Sequence, residues 1–495
     1  MPQFEALLDI ARGAVVAPAG CGKTQLITDA LAALGATRPV LVLTHTNAGV
    51  AALRGRLGLA GVPARAYRIM TLDGWAMRLA SNFPARSGLP LGTLELRDTE
   101  RDYSAIRDSA VRMLAEGHLV DLLRTTYDRI VVDEYQDCNT TQHSLVRHAA
   151  TAVPTVVLGD PLQAIFGFGG NQLPDWETVV CGDFPIASTL NTPWRWKNVG
   201  AHDLGEWLLD IRAPLGANQP VDLESAPGEV QWVHLTGHVG QDRQLQIRAG
   251  YARVPGGHAT ALVIADSDNS SQQRKFASQI AGAVTVESVD LKDLIDFAEA
   301  LDKAADGRSV VELVVDFAGN TMTNVGVSAF MARIRSLLGG TARKEPSEAE
   351  SAARRLHDTP SPNLIADLLE ELRRQRDVRI YRPAVIHACF AMLRACRNTP
   401  TLGYREAARR IREEVRAGNH RVAARAVGST LLMKGLEADL AVVLNPVKMD
   451  AKHLYVAMTR GAKRLVVCSH SSKLVPNVGR PEQAEPGRRR RRSAG

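Results

Sequence analysis

Short, almost wholly apolar runs separated by longer stretches of helical spacing set the rhythm of this chain. Ala14 to Ala17, Val40 to Leu43, Ile130 to Val132 and Thr155 to Leu158 lack the polar alternation of a half-exposed strand. Strands apolar on both faces are buried on both faces, as in a parallel sheet covered by crossover helices. A second set, Val230 to His234, Ala259 to Ile264, Asp439 to Leu444 and Arg464 to Cys468, predicts another parallel sheet. Two blocks carry no strand pattern: a charged stretch between Trp75 and Tyr127, and a long one from about Ala304 to Arg421 rich in Ala, Arg, Leu and Glu. Both read as helical insertions. The expected fold is therefore α/β, with two parallel-sheet cores that each carry a helical insertion.

Chemistry enters at the end of the first apolar run. Ala17-Pro-Ala19-Gly20-Cys21-Gly22-Lys23-Thr24 stands between a predicted strand and a predicted helix, Gln25 to Leu34. Its glycines let successive backbone N–H groups turn inward around a β-phosphate, Lys23 offers a point charge to the β and γ oxygens, and the Thr24 hydroxyl suits Mg²⁺. A nucleoside triphosphate is the implied ligand. Well downstream, the strand Ile130 to Val132 ends in adjacent carboxylates, Asp133 and Glu134. Asp133 is placed to hold the metal shell and Glu134 to polarise an attacking water, the division of labour that phosphoryl transfer to water requires.

Composition narrows the class without adding a partner. The chain has 495 residues, 45% hydrophobic and 23% charged, enough for several domains or subdomains. No apolar run is long enough to span a membrane and no basic-apolar leader is evident, so a soluble, cytoplasmic protein is expected. Six cysteines are scattered without a Cys-x-x-Cys pair, which speaks against a disulfide framework, a zinc ribbon or an iron–sulfur cluster. Formal net charge is +7, but the run Arg488 to Arg492 supplies +5 and leaves +2 for the rest. The body is thus nearly balanced, and the stretch 476–495, rich in Pro, Gly, Glu and Arg, reads as a disordered tail suited to an anionic partner.

The segment after the acidic pair, Val156 to Phe168, is a strand followed by Gly159-Asp160-Pro-Leu-Gln163 and two aromatics, Phe166 and Phe168. Loop, carboxylates and this segment resemble motifs I, II and III of superfamily 1 helicases of the UvrD/Rep type, and further motifs follow in order. Leu43 to Ala48 resembles motif Ia and Met70 to Ala76 the motif after it. Leu190 to Trp196 resembles motif IV, Ser429 to Glu437 motif V, and Leu454 to Gly461 motif VI.

The resemblance implies two RecA-like P-loop cores: 1–77 with 128–187, carrying the small helical insert 78–127, and 188–303 with 422–475, carrying the insert 304–421. It implies an ATP hydrolase that moves along single-stranded or partly duplex DNA, as a 3′-to-5′ helicase, with ATP and Mg²⁺. Catalytic roles fall to Lys23, Glu134 and Gln163, the last as γ-phosphate sensor, and to Arg195 and Arg460 as arginine fingers from the second core. Nucleotide contacts fall to Ala19, Gly20, Cys21, Gly22, Lys23, Thr24, Gln25, Trp194, Arg195, Gly435, Glu437 and Arg460, with Thr24 and Asp133 on the metal. Trp194 stands where the family usually has a tyrosine that stacks on adenine. Gln3 either reads the adenine edge or is an exposed N-terminal glutamine. DNA contacts fall to His45, Thr46, Asn47 and Thr71 along the backbone and to Phe166 and Phe168, which either stack on bases or belong to the core.

The sequence also departs from the family's pattern. Asp73 and Leu431 stand where histidine is frequent, and Gly169 where an arginine follows the motif III aromatic. These positions face DNA or the coupling region, so a regulatory, nucleotide-sensing subunit with little unwinding activity stands as the alternative to a motor. In size and motif order the chain resembles the helicase-like subunits of antiphage systems such as Gabija, which raises antiviral defence beside DNA repair. It also suggests a nuclease partner, since no nuclease motif occurs in this chain.

Overall fold

The computed structural model describes residues 4–34, 37–90, 92–96, 98–167, 171–254, 260–265, 269–288, 290–417 and 423–478. Three sequence assignments lie outside these residues: Gln3, Phe168 and nearly all of the arginine-rich tail.

The first sheet has six parallel strands: β1 Arg12–Val16, β2 Val40–Thr44, β3 Tyr67–Thr71, β4 Ile130–Val132, β5 Thr155–Gly159 and β6 Ile186–Thr189. They lie side by side in the order β3-β2-β4-β5-β1-β6. The second sheet, also of six parallel strands, comprises β7 Val230–His234, β8 Ala261–Ala265, β9 Ala283–Thr285, β10 Arg425–Ser429, β11 Ala438–Val443 and β12 Gly461–Ser469, in the order β9-β10-β8-β11-β12-β7. The α/β expectation of two parallel-sheet cores holds. Each sheet has an apolar cluster on both faces: Leu41, Leu43, Ile130 and Val132 look one way from the first, Val40, Val42 and Val131 the other. This is why those runs carry no polar alternation.

Four strands escape the apolar pattern. β6 is an edge strand with every residue exposed, and β3 is an edge strand only partly buried. β9 is a three-residue edge strand. β10 is interior, yet four of its five residues, Ala426, Val427, Gly428 and Ser429, are buried while three of those are small. A strand squeezed between neighbours is filled by small residues, which leaves no hydrophobic run to read.

The helical insertions also differ from their expected limits. Ile106, Ala110 and Met113 of the helix Thr99–Ala115 are buried in the same cluster as Leu41 and Ile130, so the stretch 78–127 caps one face of the first sheet and has no separate core. The larger helical block has its own core and begins earlier than 304: Leu291, Leu294, Phe297 and Leu301, on and beside the helix Lys292–Lys303, belong to it. The amphipathic stripe of that helix faces its successors and not the sheet. The chain leaves the second sheet at β9 and returns at β10, its paired neighbour with Ala283 opposite Arg425, so the block hangs from one sheet edge. Among the described residues no helix is long and apolar enough to cross a membrane.

Candidate active site

Three adjacent strands of the first core, β4, β5 and β1, deliver their ends to one place, the position where parallel α/β sheets bind ligands. After β1 the chain turns through Gly20 and Gly22, at φ +70° and +86°, and enters the helix Lys23–Ala33. A side chain at either glycine is strained by that backbone and also meets a wall: a Cβ at Gly20 would lie 2.5 Å from the Trp196 ring, and one at Gly22 3.0 Å from Cδ1 of Trp194. The glycine-turned loop, Lys23 beside the β4 carboxylates and Thr24 in the first turn of the helix form a donor set that fits a magnesium-bound triphosphate.

Lys23 forms the centre. Its Nζ lies 3.0 Å from Asp133 Oδ1 and 2.5 Å from Glu134 Oε1. Burial alone would depress the lysine, but the two carboxylates outweigh it and hold the ammonium well above its ordinary range. Burial pushes Asp133 up against the pull of Lys23. Burial pushes Glu134 the same way, yet Lys23 and the Gln136 amide, which donates to Oε2 at 2.6 Å, bring it down to about 2. Glu134 is also a non-glycine residue at φ +55°, a left-handed turn that points its carboxylate back toward the loop.

The second core faces these acids with cations. Arg460, 3% exposed at the end of the helix Ala451–Met458, is held by the carbonyls of Val456 and Leu436 at 2.8 and 3.1 Å. Its Nη2 stands 3.5 Å from Gln163 Oε1. Burial and the neighbouring Arg195 lower it to about 10, still a cation at neutral pH. Arg195 donates to Thr459 O at 2.8 Å and pairs with Glu437 at 2.8 Å, while its own N–H bonds Gly20 O at 3.0 Å. Thus Lys23, Asp133, Glu134, Gln163, Arg195, Glu437 and Arg460 converge. Trp194 is 51% exposed with an edge against Gly22, and Gly435 turns at φ +81°. Cys21 is buried, its thiol pushed up to about 12 by burial first. Gln25 points elsewhere: its amide bonds Asp29 at 2.6 Å on an exposed helix face.

The nucleic-acid assignments form a separate group. Thr46 and Thr71 cap the helices Asn47–Leu59 and Leu72–Asn82, their hydroxyls accepting from Gly49 N and Gly74 N, and Thr46 and Asn47 are exposed. The His45 ring lies nearly parallel to that of Phe166, with centroids 6.3 Å apart, and burial lowers its pKa. Phe166 is half-buried, with Lys434 Nζ 4.6 Å from its ring centroid. Asp73 accepts from Gln142 at 2.9 Å and faces Arg107 at 3.5 Å, so within the fold it serves as a local anchor.

Several participants went unassigned in the sequence. Lys434, inside the motif V match, crosses the cleft to Asp137 and to Gln163 O. Asp160, Tyr455 and Gln136 sit inside motif matches too, and their neighbours gave the signal. Arg212 lies outside every motif, on an ordinary amphipathic stretch, and no pattern marks it.

Residues 93–176 match the UvrD/REP helicase N-terminal domain, a span that holds Asp133, Glu134 and Gln163 but not the phosphate loop. An ATP-dependent helicase/nuclease subunit of Lacticaseibacillus casei (strain BL23) is 34% identical over 76 residues, covering 14% of this chain and 6% of that protein. DNA helicase II of Salmonella typhimurium (strain LT2) is 31% identical over 86 residues, 17% of this chain and 12% of that protein, and that of Escherichia coli (strain K12) is 30% identical over the same length. The matched segments therefore span about an eighth or less of these relatives. The crystal structure of Pif1 helicase from Candida albicans aligns at 14% identity over 57% of this chain and 53% of that one, with a TM-score of 0.31.

Proposed function

Because residues 93–176 match the UvrD/REP helicase N-terminal domain, we propose that the chain is a UvrD-like protein of helicase superfamily 1 and an ATP-driven motor on single-stranded or partly duplex DNA, moving 3′ to 5′. The observation that carries the reading is Lys23 bridging Asp133 and Glu134 at 3.0 and 2.5 Å while Arg195 and Arg460 approach from the other core. In this reading an incoming triphosphate takes over Lys23. Glu134, released from its lysine, polarises the attacking water, and Gln163 senses the γ-phosphate. Thr24 and Asp133 would hold a magnesium ion, which, when bound, offsets phosphate charge. Arg195 and Arg460 neutralise charge developing on the γ-phosphate, and such residues contribute on the order of 10³–10⁵ in rate. Trp194 offers its exposed face to the base.

Cleft closure and opening then alternate the grip of the two cores on the strand. The helix N-termini at Thr46 and Thr71 suit backbone phosphates, and Phe166 suits a stacked base. Lys434, touching Asp137, Gln163 O and Phe166, links the ATP side to that aromatic. In this reading each core keeps its own sheet, the stretch 78–127 packs into the first core, and the larger helical block reaches back to Leu291. Two relatives are named as parts of an ATP-dependent helicase/nuclease, which supports a nuclease as partner. The test is strand displacement on duplexes with a 3′ or a 5′ single-stranded tail. Displacement only from the 3′ tail supports the motor and its polarity. DNA-stimulated hydrolysis without displacement on either tail would leave the regulatory reading, which the local use of Asp73 favours.

A further inference from the structure

Arg212 makes a two-pronged bridge across the cleft. It opens the helix Arg212–Gly216, whose Leu215 and preceding Ile211 are buried with Tyr455 in the second core. Its Nη1 and Nη2 donate to Asp160 Oδ2 and Oδ1 at 2.9 and 2.7 Å, and its guanidinium lies 4.8 Å from the centre of the Tyr455 ring. Asp160 belongs to the first core, at the end of β5, and is 1% exposed. The same carboxylate accepts from Ala19 N and Leu162 N, each at 3.2 Å, and from Gln163 Nε2 at 2.9 Å. Ala19 N also lies 3.3 Å from the Tyr455 hydroxyl.

A bidentate guanidinium fixes the plane of a carboxylate as well as its charge. With Asp160 so fixed, the Gln163 amide is held by its nitrogen and presents its oxygen toward Arg460. We propose that Arg212 is a positioning residue for phosphoryl transfer: reaching over from the second core, it orients Asp160 and thereby sets Gln163 and the rim of the phosphate loop. The proposal rests on the ATP-hydrolysis reading. Because the bridge spans both cores, Gln163 is set only while the cleft is closed. Arg212 acts through Asp160, so its loss lowers turnover and leaves nucleotide capture intact.

The test uses the full chain with Arg212→Gln, Arg212→Lys, Asp160→Asn and the Arg212→Gln/Asp160→Asn double variant. Steady-state ATP turnover is measured beside the dissociation constant of a fluorescent ATP analogue. Arg212→Gln is expected to lower kcat on the order of tenfold to a hundredfold, with the dissociation constant within about twofold. Arg212→Lys, which keeps the charge and loses the fork, recovers part of the rate, and the double variant is no slower than the slower single. Unchanged kcat in Arg212→Gln overturns the proposal, as do losses in the double variant that multiply. If Arg212→Gln does not fold, Arg212→Lys decides: several-fold lower kcat at unchanged affinity supports the positioning role, and wild-type kcat overturns it. A wild-type chain that hydrolyses no ATP overturns the hydrolysis reading itself, a failure visible before any variant is made.

Discussion

The two cores share one architecture and bring opposite charges to their common cleft. The first contributes Asp133, Glu134, Asp137 and Asp160 from the ends of β4 and β5, with Lys23 as its cation. The second answers with Arg195, Arg212, Lys434 and Arg460, and with Glu437 as its acid. Two six-stranded parallel sheets therefore bring different groups to the cleft: one presents the phosphate-type loop with its carboxylates, the other buried positive charge. A buried acid left without its cation is costly, so each pair favours closure. A polyanionic nucleotide entering between the cores competes for the same cations.

The largest effect is expected from removing one side's charge at the reaction centre. Arg195→Ala should lower ATP turnover by on the order of 10³–10⁵ while nucleotide still binds, measured by steady-state hydrolysis beside equilibrium titration. A loss below tenfold would place Arg195 outside the chemistry and blunt the contrast between the cores. Glu134→Gln removes the carboxylate proposed to polarise the attacking water and should cost about 10²–10⁴ in turnover. Its nucleotide affinity should hold or rise, because Lys23 is then free of one competing carboxylate.

Stability offers a third way in. Lys434→Met leaves Asp137 buried without its cation and should cost about 3–5 kcal/mol in urea unfolding near pH 8. Burial raises Asp137 from 3.8 to about 6, with Lys434 pulling it back, so its ionisation opposes folding as pH rises through that window. At pH 5 the acid is largely protonated in the folded chain, and the Lys434→Met deficit should shrink. A deficit that grows on acidification would contradict this pairing. The smallest effect is expected at the aromatics, where Phe166→Ala should weaken single-stranded DNA binding and Trp194→Ala nucleotide binding, each by about 1–3 kcal/mol.

The same contrast explains what the sequence could and could not reveal. The first core was legible because its chemistry is local: Gly20, Gly22, Lys23 and Thr24 are neighbours, and Asp133 with Glu134 directly follow an apolar strand. The second core's roles are long-range. Arg195, Lys434 and Arg460 were within reach only through motif resemblance, and Arg212, which meets Asp160 over a long sequence separation, through neither route. Strand detection failed for a similar reason. Hydrophobicity marks strands packed on both faces by large residues, whereas β6 lies exposed at an edge and β10 is filled by Ala426, Gly428 and Ser429. The start of the helical block was misplaced because the periodicity of Lys292–Lys303 tells that a stripe is buried and not which neighbour buries it.

The most direct measurement is the rate of ATP hydrolysis by the wild-type chain and by Arg460→Ala, each with and without single-stranded DNA. A cleft shared between two cores predicts DNA-stimulated turnover in the wild type and its near-complete loss in Arg460→Ala, with nucleotide binding retained. Equal turnover in the two proteins would show that the second core takes no part in the chemistry and would contradict the account.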